Sequence, residues 1–553
     1  MNEIPKHSVP KSDWLIIAVI GLLVQSIWLI ILDQPTYMDA YYYASNGERL
    51  ATGHGFTEMV IWQYLDDPEG LPAPSHTYWM PLTSILAAAG YLIRADFLGE
   101  QLPFWLLAGL LPLLAFWISL QLSDQRWQAW AAALFTATGS FYGVYLSQPS
   151  TFAPFAWSGG LCLLMLGLIG AKRFADEGDA DDKTLLQRKR WLLWLLAGLF
   201  AGFAHLTRAD GILLLLIALA VWLLEAISTR KQRAIKGKGD SSASNSNRGH
   251  WRSLAALLLG YLGVMGIWYT RNFIVTGRIL SPVGMQTALL TTYDDLFAYG
   301  RSIHLSSYLD WGLRNIVSSK IESLWVSIQT IVAVPGVIFL TPFILVALVH
   351  FFRRPAKRAF LQPTVWYTLL LLFVMSFIFT FPGMRGALLH SSSALWPWFT
   401  ALAAAGIGIA VDWVSARLPH WEPAKAKVRF SALFVVIALV IGLYVSLMRA
   451  DNSEEVERLL ELKTTLSNES VVMASNAPAI YYHLGLPSLS VPNEATDVVY
   501  QAAQRYGVTH LLLDADAPVP LKDLYSGRTT DTRFELIEAF GEFKLYSVLS
   551  GAG

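Results

Sequence analysis

Asp39 is the residue whose type and place most suggest chemistry. It follows the first apolar stretch, inside the run Pro35-Thr36-Tyr37-Met38-Asp39-Ala40-Tyr41-Tyr42-Tyr43. A carboxylate just outside a bilayer can take a proton at the water–lipid boundary. A general base needs a pKa below ambient pH and reach to its proton. The plain alternative is an N-cap for a short helix over 40–51, because aspartate accepts backbone N–H bonds at helix starts. One oxygen can cap while the other stays free. Arg208 and Asp210 lie in a hairpin with almost no polar linker. Ionisable groups at that depth are costly, and they are functional or paired. Asp66-Asp67 and Asp294-Asp295 are adjacent pairs whose carboxylates point apart, so both read as solvated loop ends rather than metal sites. Glu48 and Glu58 read as surface residues.

The elements that would hold these residues are membrane helices. The chain has 553 residues, of which 54% are hydrophobic and 15% charged. Soluble domains carry about 25% charged residues, and the mean hydropathy here is +0.43. Apolar spans are expected at 14–32, 102–122, 127–146, 152–171, 191–206, 211–227, 253–269, 324–350, 364–381, 394–414 and 430–447, about eleven helices in all. Residues 81–93 are apolar but short, which suits a re-entrant or interfacial helix. Arg and Lys crowd 172–190, 230–252, 353–358 and 417–429. If 81–93 does not cross, all four basic connections and the N-terminus fall on the cytosolic side, as the positive-inside rule requires. Residues 33–80, 270–323 and everything after 448 then lie outside. No cleavable signal is expected, because 14–32 is long enough to span. The sole cysteine, Cys162, falls in an apolar span and reads as an inert small residue.

Residues 236–249, rich in Gly, Ser and Asn, read as a cytosolic linker. No internal repeat is visible, which weighs against transporter folds built from duplicated halves. After 449 the composition changes. An amphipathic helix over 454–466, strands at 471–474, 489–491, 509–513 and 543–548, and a helix over 498–506 predict a small α/β domain over 450–553. The fold expected is therefore a polytopic α-helical membrane module, 1–449, with an extracytoplasmic α/β tail.

The pattern Asp39-x-Tyr-Tyr-Tyr-Ala, then Leu50-Ala-Thr-Gly-His-Gly-Phe, then Tyr78-Trp79-Met80-Pro81-Leu82 resembles the first outer loop of type-C (GT-C) glycosyltransferases. The branch is that of protein O-mannosyltransferases and the bacterial aminoarabinose transferase acting on lipid A. The resemblance continues through Leu206-Thr207-Arg208-Ala209-Asp210-Gly211 and Arg271-Asn272-Phe273-Ile274-Val275-Thr276-Gly277, and it spans roughly the first half of the chain. It implies a glycosyltransferase of the bacterial inner membrane that uses a polyprenyl-phosphate sugar donor. The acceptor would be a lipid, glycan or protein on the extracytoplasmic face, with no nucleic acid involved. Inverting transfer would need one base, Asp39, to activate the acceptor hydroxyl. Cationic side chains would stabilise the departing phosphate, so no cofactor is expected and a divalent metal is not required. Arg271, at the outer end of a span, is the first candidate phosphate contact. Arg208 follows, then Arg385 in the loop 381–393, which also carries His390. Their plain alternatives are an Arg208–Asp210 pair and interfacial anchoring. Tyr37, Tyr41, Tyr42 and Trp79 suit a sugar pocket, and His76 and His54 suit substrate hydrogen bonds. Relatives carry an acidic residue at the outer start of the fourth span; here Gln148 stands there, able to bond a sugar hydroxyl but not to take a proton. Two rival readings are a transporter or flippase of lipid-linked sugars and a catalytically inactive membrane scaffold.

Overall fold

The computed structural model describes residues 9–175, 180–236, 242–281, 283–418, 421–450 and 453–549. Helix α1 (Lys11–Ile31) buries Asp13, Ile17, Gly21, Gln25 and Trp28, about one residue per turn along one stripe. Leu15, Leu23 and Ile30 on its other side stay exposed, as a lipid-facing surface requires. Helix α2 (Met38–Ala51) carries Asp39 in its first turn. The cap position is Tyr37, so Asp39 lies inside the helix rather than capping it. Helix α3 (Leu82–Tyr91) is too short to cross a membrane. Helix α4 (Phe97–Leu122) returns against α1, and their glycines meet: a Cβ on Gly21 would lie 2.0 Å from the Gly109 carbonyl oxygen.

The expected span over 127–146 is broken. Helix α5 (Arg126–Ala137) stops because Gly139 takes the left-handed conformation (φ +66°) that commonly ends helices. A one-turn α6 (Gly143–Leu146) follows. Helices α7 (Phe152–Ala175), α8 (Ala180–Thr207), α9 (Ile212–Lys236) and α10 (Ser242–Thr276) complete the first half. Helices α8 and α10 approach closely through small residues, the usual device for helix contact in lipid. A Cβ on Gly198 would lie 1.9 Å from the Leu257 carbonyl oxygen, and one on Gly260 would lie 2.2 Å from that of Leu195. Gly198→Ala is expected to push these helices apart and cost about 1–3 kcal/mol, read as a lower Tm of the detergent-solubilised protein. An unchanged Tm would show that the contact is slack.

The second half holds α11 (Leu305–Asp310), α12 (Leu313–Ala333), α13 (Thr341–Phe352) and α14 (Pro355–Phe373). A break follows. Two π-helical turns, Val374–Ile378 and Gly383–Ala387, flank the short α15 (Thr380–Pro382) and lead into α16 (Leu388–Ser391). Such turns often mark functional sites. Helices α17 (Trp396–Ser415) and α18 (Pro423–Ala450) close the bundle. Among the described residues nine helices are long and apolar enough to cross a membrane, or ten if the segments Leu313–Ala333 and Ile338–Phe352, bent by 82°, form one span. The protein is a multi-pass integral membrane protein. Two of the eleven expected spans are not single long helices: 127–146 is interrupted at Gly139, and 324–350 is divided between α12 and α13, which meet at an 82° bend.

The C-terminal segment is α/β, from α19 (Ser453–Glu461) onwards. Parallel strands β4 (Val472–Ala474), β5 (Ser488–Ser490) and β6 (His510–Leu513) are connected by α20 (Ala477–Leu484) and α21 (Thr496–Tyr506); α22 (Lys522–Ser526) precedes the final hairpin β7 (Phe534–Phe540) and β8 (Phe543–Val548). The first loop contributes β1 (Thr57–Glu58), β2 (Val60–Ile61) and β3 (Ala73–Pro74). The large sheet has the order β2-β5-β4-β6-β8-β7, so β2 is its edge strand, paired in parallel with β5. The loop over 270–323 joins the same assembly: the Asn493 N–H donates to the Phe297 carbonyl at 3.1 Å, and Arg301 pairs with both Asp295 and Glu494. The three long polar segments therefore meet at one end of the bundle.

Candidate functional site

Asp39 sits where α2, the hairpin between α8 and α9, and the broken helix before α17 converge. Its Oδ2 lies 3.9 Å from His390 Nε2, and its side chain keeps 24% exposure. The carboxylate is set deep yet open. Burial pushes its pKa up to about 6, against the pull of the Arg208 charge. It is therefore mostly ionised at neutral pH and poised near it, as a base should be.

Arg208 is held by a dense set of acceptors. Its Nε donates to Asp210 Oδ1 and Ser391 Oγ, each at 3.0 Å. Its Nη1 donates to Thr151 Oγ1 at 3.5 Å and its Nη2 to the Ala387 carbonyl at 3.4 Å. The Ser391 hydroxyl donates in turn to Asp210. The Arg208 and Asp210 side chains are 14% and 10% exposed. The cation is thus fixed beside Asp39 by Thr151 just ahead of α7, by Asp210 in the hairpin, and by Ala387 and Ser391 at the broken helix. Tyr43, Tyr78 and Tyr293 also feel the Asp39 charge. Burial pushes the Tyr78 phenol up to about 12, so it remains a proton donor at neutral pH. The Arg385 guanidinium stacks 5.4 Å over the Tyr293 ring, and Arg385 is otherwise exposed.

Tyr41, Tyr42, His76 and Gln148 make packing bonds rather than line an open face, whereas His54 is exposed on the first loop. Tyr42 is 1% exposed; its hydroxyl donates to Glu58 at 2.5 Å and accepts from the His76 N–H at 2.9 Å. Burial pushes the Glu58 carboxyl up to about 8. Glu58 is thus a largely protonated core residue, not a surface one. His76 is sandwiched between the hydroxyls of Ser75 and Ser84 at 2.8 and 3.0 Å, and burial holds its pKa down at about 3. Tyr41 is buried against Tyr482 and His483 of α20, fastening α2 to the C-terminal segment. Gln148 is fully buried. Its carbonyl accepts from the Thr36 N–H at 3.1 Å, and its amide donates to the Thr36 hydroxyl and the Val144 carbonyl, both at 2.9 Å. Trp79 stacks on Trp62 at 4.0 Å. Tyr37 packs edge-on to Tyr145. Asp67 pairs with Arg505 at 2.6 Å, and Asp295 accepts from Thr291 and Thr292, so both acidic pairs tie down loops. Cys162 is buried.

Arg271 stands apart from Asp39. Its Nη2 donates to the Ser75 carbonyl at 2.7 Å, and its guanidinium lies 4.8 Å over the Trp268 ring. It borders a groove of about 420 Å³ on the lipid-facing side of α10, lined by Ile267, Thr270, Arg271, Ile274 and Val275. Ile267 and Ile274 are more than three-quarters exposed there.

Among the described residues no group of three or more His, Cys, Asp or Glu side chains converges as a metal site. Around Asp39 the neighbours are a guanidinium, an imidazole and phenols.

No protein-family model matches the chain, and no curated protein matches it. Solved structures do match. ArnT from Cupriavidus metallidurans in the apo state covers 97% of this chain and 98% of its own, with TM-score 0.54 and 13% identity. The same protein bound to undecaprenyl phosphate gives TM-score 0.52 at 13% identity over the same shares. The apo oligosaccharyltransferase of Archaeoglobus fulgidus covers 93% of this chain and 73% of its own, with TM-score 0.53 and 12% identity. The chain has the fold of these proteins, the type-C glycosyltransferase fold, over nearly its whole length.

Proposed function

We propose that this protein is an inverting glycosyltransferase that moves a sugar from a polyprenyl-phosphate donor to an acceptor hydroxyl on the extracytoplasmic face of the inner membrane. The carrying observation is the quarter-exposed Asp39 carboxylate set between Arg208 and His390 at the loop-bearing end of a lipid-embedded bundle. In this reading Asp39 takes the acceptor O–H proton as the oxygen attacks the anomeric carbon. The bond from that carbon to the phosphate oxygen breaks with inversion, and its electron pair leaves on the phosphate. Arg208 faces the developing negative charge, where a fixed cation in a dry site acts strongly. Arg385, stacked on Tyr293, gives the phosphate a second contact. The groove on α10 suits the isoprenoid chain, and Arg271 at its edge would draw the phosphate inward. The likeness to ArnT, whose structure is known with undecaprenyl phosphate bound, supports the donor class.

The test is transfer from a radiolabelled polyprenyl-phosphate sugar to crude envelope acceptor by the purified full-length protein. The rate is expected to fall on acidification, with a midpoint near pH 6, because the base works only when ionised and the Asp39 pKa is raised to about 6. A rate flat from pH 5 to 8 would speak against a carboxylate base.

A further inference from the structure

His390 occupies a place that the proposed reaction does not yet use. It is buried, and its ring stacks on Phe152 with centroids 4.0 Å apart. Thr151 Oγ1 lies 2.7 Å from His390 Nδ1. The same hydroxyl accepts from Arg208 Nη1, so its own hydrogen is free to point at the ring. Nδ1 then accepts, and the ring proton resides on Nε2, the nitrogen 3.9 Å from Asp39 Oδ2. The stack fixes the plane of the ring, and a Thr151 hydroxyl that donates to Nδ1 sets the tautomer with its proton on Nε2.

We infer that His390 is a positioning residue for Asp39, presenting a fixed N–H to Oδ2 so that the other carboxylate oxygen faces the acceptor hydroxyl. The inference rests on the reading of Asp39 as the base. The gap of 3.9 Å is longer than a hydrogen bond, so the contact completes only when the carboxylate turns toward the ring. The other groups facing Asp39 are Arg208 from the hairpin, Tyr37 from the preceding loop, Tyr43 from its own helix, Tyr78 from the first loop and Tyr293 from the loop over 270–323. The cation is locked by Asp210 and Ser391, and the phenols stay neutral, so the fixed imidazole N–H acts beside phenol O–H donors rather than beside a second mobile charge.

The test needs no substrate. Infrared titration of the full-length protein in lipid nanodiscs reports the carboxyl stretch of Asp39, identified by its loss in Asp39→Asn. His390→Phe keeps an aromatic ring against Phe152 but removes the N–H. It is expected to raise the Asp39 midpoint by about one pH unit, the scale of a hydrogen bond to a charged group. His390→Gln, which retains an N–H, should recover at least half of that shift. Thr151→Val frees the tautomer and should move the midpoint in the same direction as His390→Phe. If His390→Phe does not fold, His390→Leu, which also removes the ring N–H and leaves the Thr151–Arg208 contact in place, decides. An unmoved midpoint in the folded variants overturns the inference. A wild-type transfer rate in Asp39→Asn would overturn the base assignment instead, so the two failures are distinct.

Discussion

Asp39→Asn is expected to slow sugar transfer by about a hundredfold to ten-thousandfold, the usual contribution of a positioned general base. The amide has nearly the same shape but cannot take the acceptor proton. The substitution also removes a negative charge beside Arg208, so tighter retention of the phosphate product is expected alongside the slower step. Asp39 is in the first turn of α2 and not at its cap, so the helix keeps its start. The Tm should therefore change little, which separates chemistry from folding. Turnover within a few-fold of wild type would reject Asp39 as the base.

Arg208→Gln is expected to do two kinds of damage. It strands Asp210, 10% exposed, and breaking a buried pair costs about 3–5 kcal/mol. It also removes the fixed cation at the proposed leaving group, and loss of one such stabilising group costs about 10²–10³ in rate. The double variant Arg208→Gln, Asp210→Asn separates them. With the stranded charge gone, most of the lost Tm should return, while transfer stays at least a hundredfold down. A double variant that turns over normally would leave Arg208 with a structural role only.

Much of the site was legible because charge is rare in this chain. The carboxylate at 39 and the Arg208–Asp210 hairpin stand out against apolar surroundings, and the fold brings them together. Their spacing in sequence carries no sign of that meeting; α2 and the hairpin are adjacent only through the bundle. The sequence offers His390 only as a companion of Arg385 in the loop 381–393 and gives no weight to Ser391 or Thr151, because hydroxyls beside an apolar run look like ordinary packing residues. The signal that could have raised them is the polar run Ser391-Ser392-Ser393 at the mouth of a membrane helix. Tyr41, Tyr42 and His76 were misleading for a physical reason. Aromatic residues beside a carboxylate suit a sugar pocket, but they also fasten loop to domain: here Tyr41 packs on Tyr482 and His483, the Tyr42 hydroxyl is spent on Glu58, and the His76 ring nitrogens are spent on Ser75 and Ser84. The span over 127–146 is interrupted at one left-handed residue, Gly139, yet still runs from Arg126, paired with Asp13 at the start of α1, to Gln148, bonded to Thr36 beyond its far end; the bend that divides 324–350 likewise has no mark in the apolar pattern. The tail's strands were readable from apolar runs, whereas β2 has two residues and no periodicity to read.

That two-residue strand limits how these proteins can be rebuilt. Since β2 lies in the loop that follows Asp39 and hydrogen-bonds to β5, the tail is not a detachable cap. A chimera that exchanges residues 450–553 alone would leave the recipient's edge strand facing a foreign partner, and the ribbon that steers α2 would lose its anchor. Grafts should travel with their own 33–80 segment, and variation in the tail should be inherited together with variation around the carboxylate.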